Sequence, residues 1–289
     1  MKRFACALLC LLAWPVLAQN AVGSLPPAQL SAAEESEVDA MVLPVPGAWI
    51  GDLDGMRASR TVRILVPFSK TFYQVDRGRQ EGVVYEYGKA FEKWLNQHHP
   101  LGQKSQRWQV MFIPTARHEL LPRLLSGHGD IAAGGLTQTE VRLQTVDFSD
   151  PAYGDVHEVF VSGPGAPKLE RIEDLAGQEV YARPSSSYFE HLLELNRRFR
   201  EQGLEPIKVM PANENLETED LLQMVNAGLF GITVADRYIA QLWQPLYSDL
   251  KVHQGFYLYT GGKLGWALRK NSPQLRQALN AFNKLVACR

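Results

Sequence analysis

The chain has 289 residues, 45% of them hydrophobic and 21% charged, with a formal net charge of −1. That length can bury one large core or two modest ones, and basic residues nowhere gather into the face that a nucleic acid or an anionic membrane would require. The seven histidines form no i, i+4 pair, and neither a Gly-x-Ser-x-Gly elbow nor a Gly-x-x-x-x-Gly-Lys loop occurs. No metal site, serine-hydrolase elbow, phosphate loop or cofactor is therefore expected.

Lys2 and Arg3 precede an apolar run from residue 4 to 16, and Val16-Leu17-Ala18 carries small residues where a signal peptidase reads them. Residues 1–18 read as a signal peptide cleaved after Ala18, with a retained anchor as the alternative. Cys6 and Cys10 leave with it, so Cys288 alone remains and no intramolecular disulfide is expected. Residues 19–57, rich in Ala, Pro, Ser and Glu, read as a leader without lasting periodicity.

Regular alternation starts at Thr61. A short apolar run over 62–67 suits a buried strand, and Val83, Tyr87, Ala90, Phe91, Trp94 and Leu95 share a helical face. A strand over 108–113, a helix over 117–126 and a strand over 131–133 follow. After the Gly- and Pro-rich break at 162–167, the pattern repeats. Strands are expected over 178–182, 207–210 and 230–235. Helices are expected from Ser187, which has Glu190 at capping-box spacing, and over 219–227, with another opening at Asp236. A last strand over 264–268 leads to a helix with Ser272 as cap and Pro273 at its first position. Two α/β units of this kind predict parallel sheets flanked by helices, with a ligand cleft at their boundary.

Three places put polar groups at a strand end. Gly134-Gly135-Leu136-Thr137, followed by Arg142, offers exposed backbone N–H groups, a hydroxyl and a guanidinium fork that matches a carboxylate. Ser185, Ser186 and Ser187 open a helix, where an anion can sit on free N–H groups. Asp236 can hold an ammonium group or cap the next helix. Each has a plainer alternative in capping or solvent exposure. Taken together, a cation and an anion on opposite units describe a receptor for a zwitterion.

Residues 127–142, Gly-His-Gly-Asp-Ile-Ala-Ala-Gly-Gly-Leu-Thr-Gln-Thr-Glu-Val-Arg, with Val146-Asp147-Phe148-Ser149-Asp150-Pro151-Ala152-Tyr153, resemble the family 3 extracellular solute-binding proteins. Gly82-Val83-Val84-Tyr85-Glu86 and Asp174-Leu175-Ala176-Gly177 resemble two further signatures of that family. The resemblance implies a two-lobed α/β periplasmic-binding-protein fold, a Venus flytrap. Each lobe is then a mostly parallel sheet, with 58–156 and 258–289 forming lobe 1 and 157–257 lobe 2. It implies that Arg142 holds a ligand carboxylate with Thr137, Ser186 and Ser187. Asp236 then holds the ammonium, and Phe72 or Tyr73 flanks the side chain. Gly135 and Ser185 depart from the family pattern. The expected function is periplasmic capture of an amino acid or similar small zwitterion by a monomer that is not an enzyme, handing its ligand to an ABC permease.

Gly51-Asp52-Leu53-Asp54-Gly55-Met56, Ser185-Ser186-Ser187-Tyr188 and residues 219–228 further resemble the receptor half of membrane-bound lytic murein transglycosylase F. In that family a catalytic domain follows the receptor, and with the chain ending at Arg289 none is expected here. A receptor for cell-wall peptides is the second reading. An enzyme is the third, since cyclohexadienyl dehydratases share the flytrap fold.

Overall fold

The computed structural model describes residues 47–102, 105–151 and 153–287. The signal peptide expected over 1–18, the leader as far as residue 46, and Cys288 lie outside the described residues. A single sheet of ten strands organises the rest, beside a separate two-stranded sheet of β2 (Gln74–Asp76) and β3 (Arg79–Glu81). In the large sheet β6 (Val146–Phe148) and β11 (Lys251–Val252) pair off the main path, which has two parallel halves. In the first, β1 (Thr61–Val66) pairs in parallel with β4 (Gln109–Pro114) and with β5 (Ile131–Thr137). In the second, β8 (Glu179–Ala182) pairs in parallel with β9 (Lys208–Pro211) and with β10 (Ile232–Asp236). Two long antiparallel strands, β7 (Tyr153–Ser162) and β12 (Tyr259–Arg269), join the halves in the order β5-β12-β7-β10. The result is a two-lobed α/β architecture, each lobe a mostly parallel sheet flanked by helices.

The joining strands are irregular where they cross. Register shifts fall between Tyr259 and Gly262 and between Gly262 and Leu264 on β12 opposite β7. Such bulges bend a strand and strengthen its twist, which turns one half of the sheet relative to the other. The sequence pattern places no strand over 153–162, where the structure has β7. It shows β12 only from 264, because the Thr-Gly-Gly run at 260–262 reads as a turn.

Each half is covered by amphipathic helices, α6 (Thr218–Asn226) among them. Helix α2 (Val83–His98) turns Phe91 and Leu95 onto Ile64 of β1, and the C-terminal helix α8 (Pro273–Ala287) adds Leu275, Leu279 and Phe282 to the same cluster. On the opposite face, α3 (Leu120–Leu125) lays Leu120 and Leu124 over Leu65, Ile113 and Ala132. In the second half, α5 (Ser187–Glu201) buries Leu192, Leu195 and Phe199 against Val180 and Val234. Spacings of three and four place these residues on one stripe.

Two local expectations change. Helix α1 (Leu53–Ser59) begins inside the stretch read as leader and runs two residues past its end, with Leu53 and Met56 buried. Its Asp52 accepts from the Gln274 N–H at 2.7 Å and the Leu275 N–H at 2.9 Å, so the first turn of α8 is capped by a residue 222 positions away in sequence, in place of the expected Ser272. A buried ion cluster ties the same segment down. Asp130 accepts from Arg63 at 2.8 Å and from Arg269 at 3.3 Å, while Arg63 also donates to the Gly47 and Trp49 carbonyls.

Candidate ligand-binding site

A polar cavity of about 230 Å³ opens between the C-terminal ends of the parallel strands of the two halves. It is smaller than the roughly 300–1,000 Å³ of pockets that hold drug-sized molecules, and so suits a small solute. Phe72, Thr137, Arg142, Ser186, Ser187 and Asp236 all line it. Tyr73 does not. Its backbone N–H and carbonyl both pair with Ser69, its ring stacks on Phe112 at 5.6 Å and its hydroxyl donates to Gln80, so the adjacent Phe72 is the aromatic at the cleft.

Arg142 sits on the short helix α4 (Glu140–Leu143), capped by the Thr139 hydroxyl. Its guanidinium donates to the Thr137 carbonyl at 2.8 Å and across the cleft to the Ser185 carbonyl at 3.0 Å. A guanidinium carries five N–H donors, so donors remain for an incoming carboxylate. Burial lowers its pKa from the ordinary arginine value, and Glu190 opposes that shift.

The serines divide their work. Ser186, not Ser187, is the N-cap of α5: its hydroxyl accepts from the Phe189 N–H and donates to the Arg183 carbonyl at 2.6 Å. Capping and cleft-lining are therefore both true of Ser186. Ser187 donates to Glu158 at 2.9 Å and lies 3.5 Å from the Thr137 hydroxyl. Glu190 falls one position beyond the capping-box spacing and lines the cavity instead.

Asp236 ends β10 and occupies the N-cap position of α7 (Arg237–Trp243), yet its side chain makes no capping hydrogen bond. It is fully buried, and Oδ1 has no hydrogen-bond partner among the described residues. Burial and the neighbouring Glu158 raise its pKa to about 8, against the pull of the Tyr188 and Tyr238 hydroxyls and Arg117. A buried acid at a cleft wall, with one oxygen free of hydrogen bonds, has the chemistry to accept from a cationic group.

Arg117, Glu217, Arg183 and Glu158 escaped the sequence reading. Arg117 donates to Glu217 through Nε at 2.9 Å and through Nη2 at 2.5 Å, and to the Gly134 carbonyl at 2.7 Å. Its guanidinium also lies over the Phe72 ring at 5.5 Å. Arg183 donates to the Leu216 carbonyl and lies 3.8 Å from Glu217. Glu158 accepts from Ser187 and is 2.7 Å from His191. The signal for Glu158 was present: a lone acid in the apolar run Val156-His157-Glu158-Val159-Phe160-Val161. Among the described residues no cluster of three or more metal-ligating side chains occurs.

The sequence profile of the bacterial extracellular solute-binding proteins, family 3, matches residues 63–286. Curated relatives include membrane-bound lytic murein transglycosylase F of Desulfosudis oleivorans, 28% identical over 78% of this chain and 46% of that protein. The protein of the same name from Saccharophagus degradans is 33% identical over 72% of this chain and 37% of that protein. The chain thus spans less than half the length of these relatives. Among solved structures, an ancestral arginine-binding protein bound to arginine aligns at a TM-score of 0.63 and 23% identity, covering 79% of this chain and 92% of the other. An ancestral amino-acid-binding protein, a precursor of cyclohexadienyl dehydratase, aligns at 0.62 and 24%, covering 82% and 93%. These likenesses carry the fold, and the profile carries the family: the chain belongs to the bacterial extracellular solute-binding proteins, family 3.

Proposed function

We propose that the protein captures a small zwitterion, an amino acid or a close analogue, in the cavity between its two lobes. The observation that carries this reading is the pairing of Arg142, with donors to spare, and Asp236, with an unpartnered carboxyl oxygen, in one small cavity. In this reading Arg142, Thr137, Ser186 and Ser187 hold the carboxylate, Asp236 takes the ammonium and Phe72 packs on the side chain. The family membership supports a binding role, and the chain acts as a receptor, not a catalyst. The lobe division of 58–156 with 258–289 against 157–257 belongs to the same proposal. It is supported by β7 and β12, which cross near those boundaries, Glu158 standing opposite Tyr259. Export to the periplasm through the segment 1–18, action as a monomer and delivery to an ABC permease complete it. No helix among the described residues is long and apolar enough to cross a membrane.

A second reading is favoured by the curated relatives, which are murein transglycosylases: the zwitterion is then the peptide end of a cell-wall fragment. One experiment addresses both. A thermal-shift screen of purified protein against amino acids, polyamines and muropeptides is expected to reveal stabilisation of about 2.7 kcal/mol at a ligand concentration 100-fold above Kd. Response to muropeptides but not to free amino acids selects the second reading, and no response from any zwitterion rejects both.

A further inference from the structure

Helix α6 starts with Glu217-Thr218-Glu219-Asp220, and all three acids reach across the cleft. Glu217 takes Arg117, and Asp220 lies 3.7 Å from Lys70 at the surface. Between them Glu219, only 1% exposed, accepts through Oε1 from the Ser69 hydroxyl at 2.7 Å and from the Thr71 N–H at 3.2 Å. Thr71 is held a second time, its hydroxyl accepting from the ring N–H of Trp243, the last residue of α7, at 3.0 Å. Ser69 and Thr71 follow β1 in the first half of the sheet, whereas α6 and α7 flank β10 in the second. We propose that Glu219 is the keeper of a clasp that holds the two halves together over the cleft before any ligand arrives, so that solute entry waits on its release.

Every one of these ties joins groups of the chain itself, and so needs no ligand. Glu219 has no duty in its own helix: Glu217 is the N-cap, and Asp220 accepts from the Glu217 N–H at 2.9 Å to complete a capping box without it. The contact also sets the cleft aromatic, because the Ser69 hydroxyl that donates to Glu219 accepts from the Phe72 N–H at 3.1 Å. Glu219 thus positions Phe72 from the opposite side of the cleft. Its other oxygen, Oε2, is buried without a hydrogen-bond partner among the described residues. Keeping that oxygen dry costs free energy that opening would recover by hydration, and this offsets part of what the Oε1 bonds contribute. The clasp is therefore releasable. Since the same contacts close the filled and the unfilled cleft, they slow entry and release together and leave affinity nearly unchanged.

The test is small-angle X-ray scattering of protein refolded from denaturant to strip bound solute, joined to hydrogen exchange at the Thr71 and Phe72 amides by NMR. The ligand-free parent is expected to scatter with the radius of gyration of the closed arrangement. Glu219→Ala should expand it and speed exchange at Thr71 by about tenfold or more, with a cooperative melt showing that it is folded. Glu219→Gln keeps an acceptor oxygen and should stay near the parent. Should Glu219→Ala not fold, Ser69→Ala combined with Trp243→Phe loosens the clasp from its other members and decides. Raising sodium chloride from about 0.05 to about 0.5 M should not expand the parent, because buried contacts are screened little. Expansion by salt alone would assign closure to the exposed Lys70–Asp220 pair and overturn the inference. So would a ligand-free parent already as expanded as Glu219→Ala, or a clasp variant that matches the parent in both radius and exchange. All these measurements are made without ligand, so their failure is distinct from a failure of the zwitterion reading.

Discussion

Asp236 on β10 and Glu158 on β7 stand directly opposite each other in an antiparallel pair, both buried beneath the cleft. Side chains at such positions lie close enough to repel when both are charged. Burial first, and Glu158 second, hold the Asp236 pKa near 8, whereas its ordinary value is 3.8. The empty protein therefore binds a proton that its unfolded chain releases, and this contribution to stability is complete below pH 4 and is lost as pH rises towards 8. The loss approaches about 1.4 kcal/mol per pH unit between those limits. Asp236→Asn imitates the neutral acid and escapes the loss, so its stability relative to the parent should grow from pH 5 to pH 8. Urea unfolding at the two pH values measures this, and equal differences at both would contradict it.

The same proton makes ligand binding pH-dependent. An ammonium group seated on Asp236 needs the charged carboxylate, so at pH 7 binding should expel about one proton. Apparent affinity should then fall by up to about tenfold per unit as pH drops below 8, and level off above it. Calorimetry in two buffers of different ionisation enthalpy reads the proton directly. A binding enthalpy identical in both buffers would remove Asp236 as the ammonium's partner.

Much of this arrangement was legible in the sequence because it is local. The strand-end motifs around Thr137, Ser186 and Asp236 need only a strand, a turn and a helix start to be recognised. Arg142 and Ser187 belong to the same motifs, whereas Phe72, with Tyr73 as its alternative, comes from the family resemblance alone. The hidden part is long-range. Glu158 matters because β7 pairs with β10, and Arg117 because Glu217 lies 100 residues away in sequence. Asp52 caps α8 across almost the whole described chain. Neither periodicity nor capping rules report such partners, since both depend only on neighbours within a few residues. The choice between Phe72 and Tyr73 was likewise set by the bridge between Ser69 and Tyr73, a tertiary feature of one tight loop.

Arg142 is the residue whose removal should most directly cost binding. Arg142→Ala deletes the guanidinium that bridges the Thr137 and Ser185 carbonyls, and leaves a ligand carboxylate without its counter-charge. The expected loss is about 2–5 kcal/mol of binding free energy, measured by titration with whichever zwitterion the screen identifies. Arg142→Lys keeps the charge but not the fork, and should recover only part of the loss. Affinity unchanged in Arg142→Ala would mean that the carboxylate sits elsewhere.

Arg117 and Glu217 join the two halves of the sheet across the cleft, their side chains only 9% and 6% exposed. Burial alone would lower the Arg117 pKa, and Glu217 more than reverses it. Glu217→Ala strands a buried guanidinium and should destabilise the protein by about 3–5 kcal/mol, visible as a lower Tm. The double change Arg117→Met with Glu217→Leu removes that pair and should restore part of the stability, the remainder staying lost because buried Arg183, 3.8 Å from Glu217, still loses its partner. Both variants should also scatter X-rays with a larger radius of gyration in the absence of ligand, because a strut across the cleft is gone. A Tm for Glu217→Ala equal to the parent's would reduce the pair to a bystander.

Gly135 stands where the family pattern departs, and its surroundings explain why a side chain is excluded here. At φ +67° any L-residue is strained, and a Cβ would meet Phe72 Cζ at 2.5 Å and the Tyr238 hydroxyl at 3.1 Å. Gly135→Ser should therefore destabilise by about 1–3 kcal/mol through backbone strain alone, plus whatever the Phe72 ring needs in order to move. Displacing that ring removes the surface beneath Arg117. Zwitterion binding should then weaken, while the pH dependence set by Asp236 persists. Gly135→Ser paired with Phe72→Leu, which vacates the space, should regain stability without regaining affinity. A Gly135→Ser protein that is as stable and binds as tightly as its parent would show that the contact between Phe72 and Gly135 is not needed.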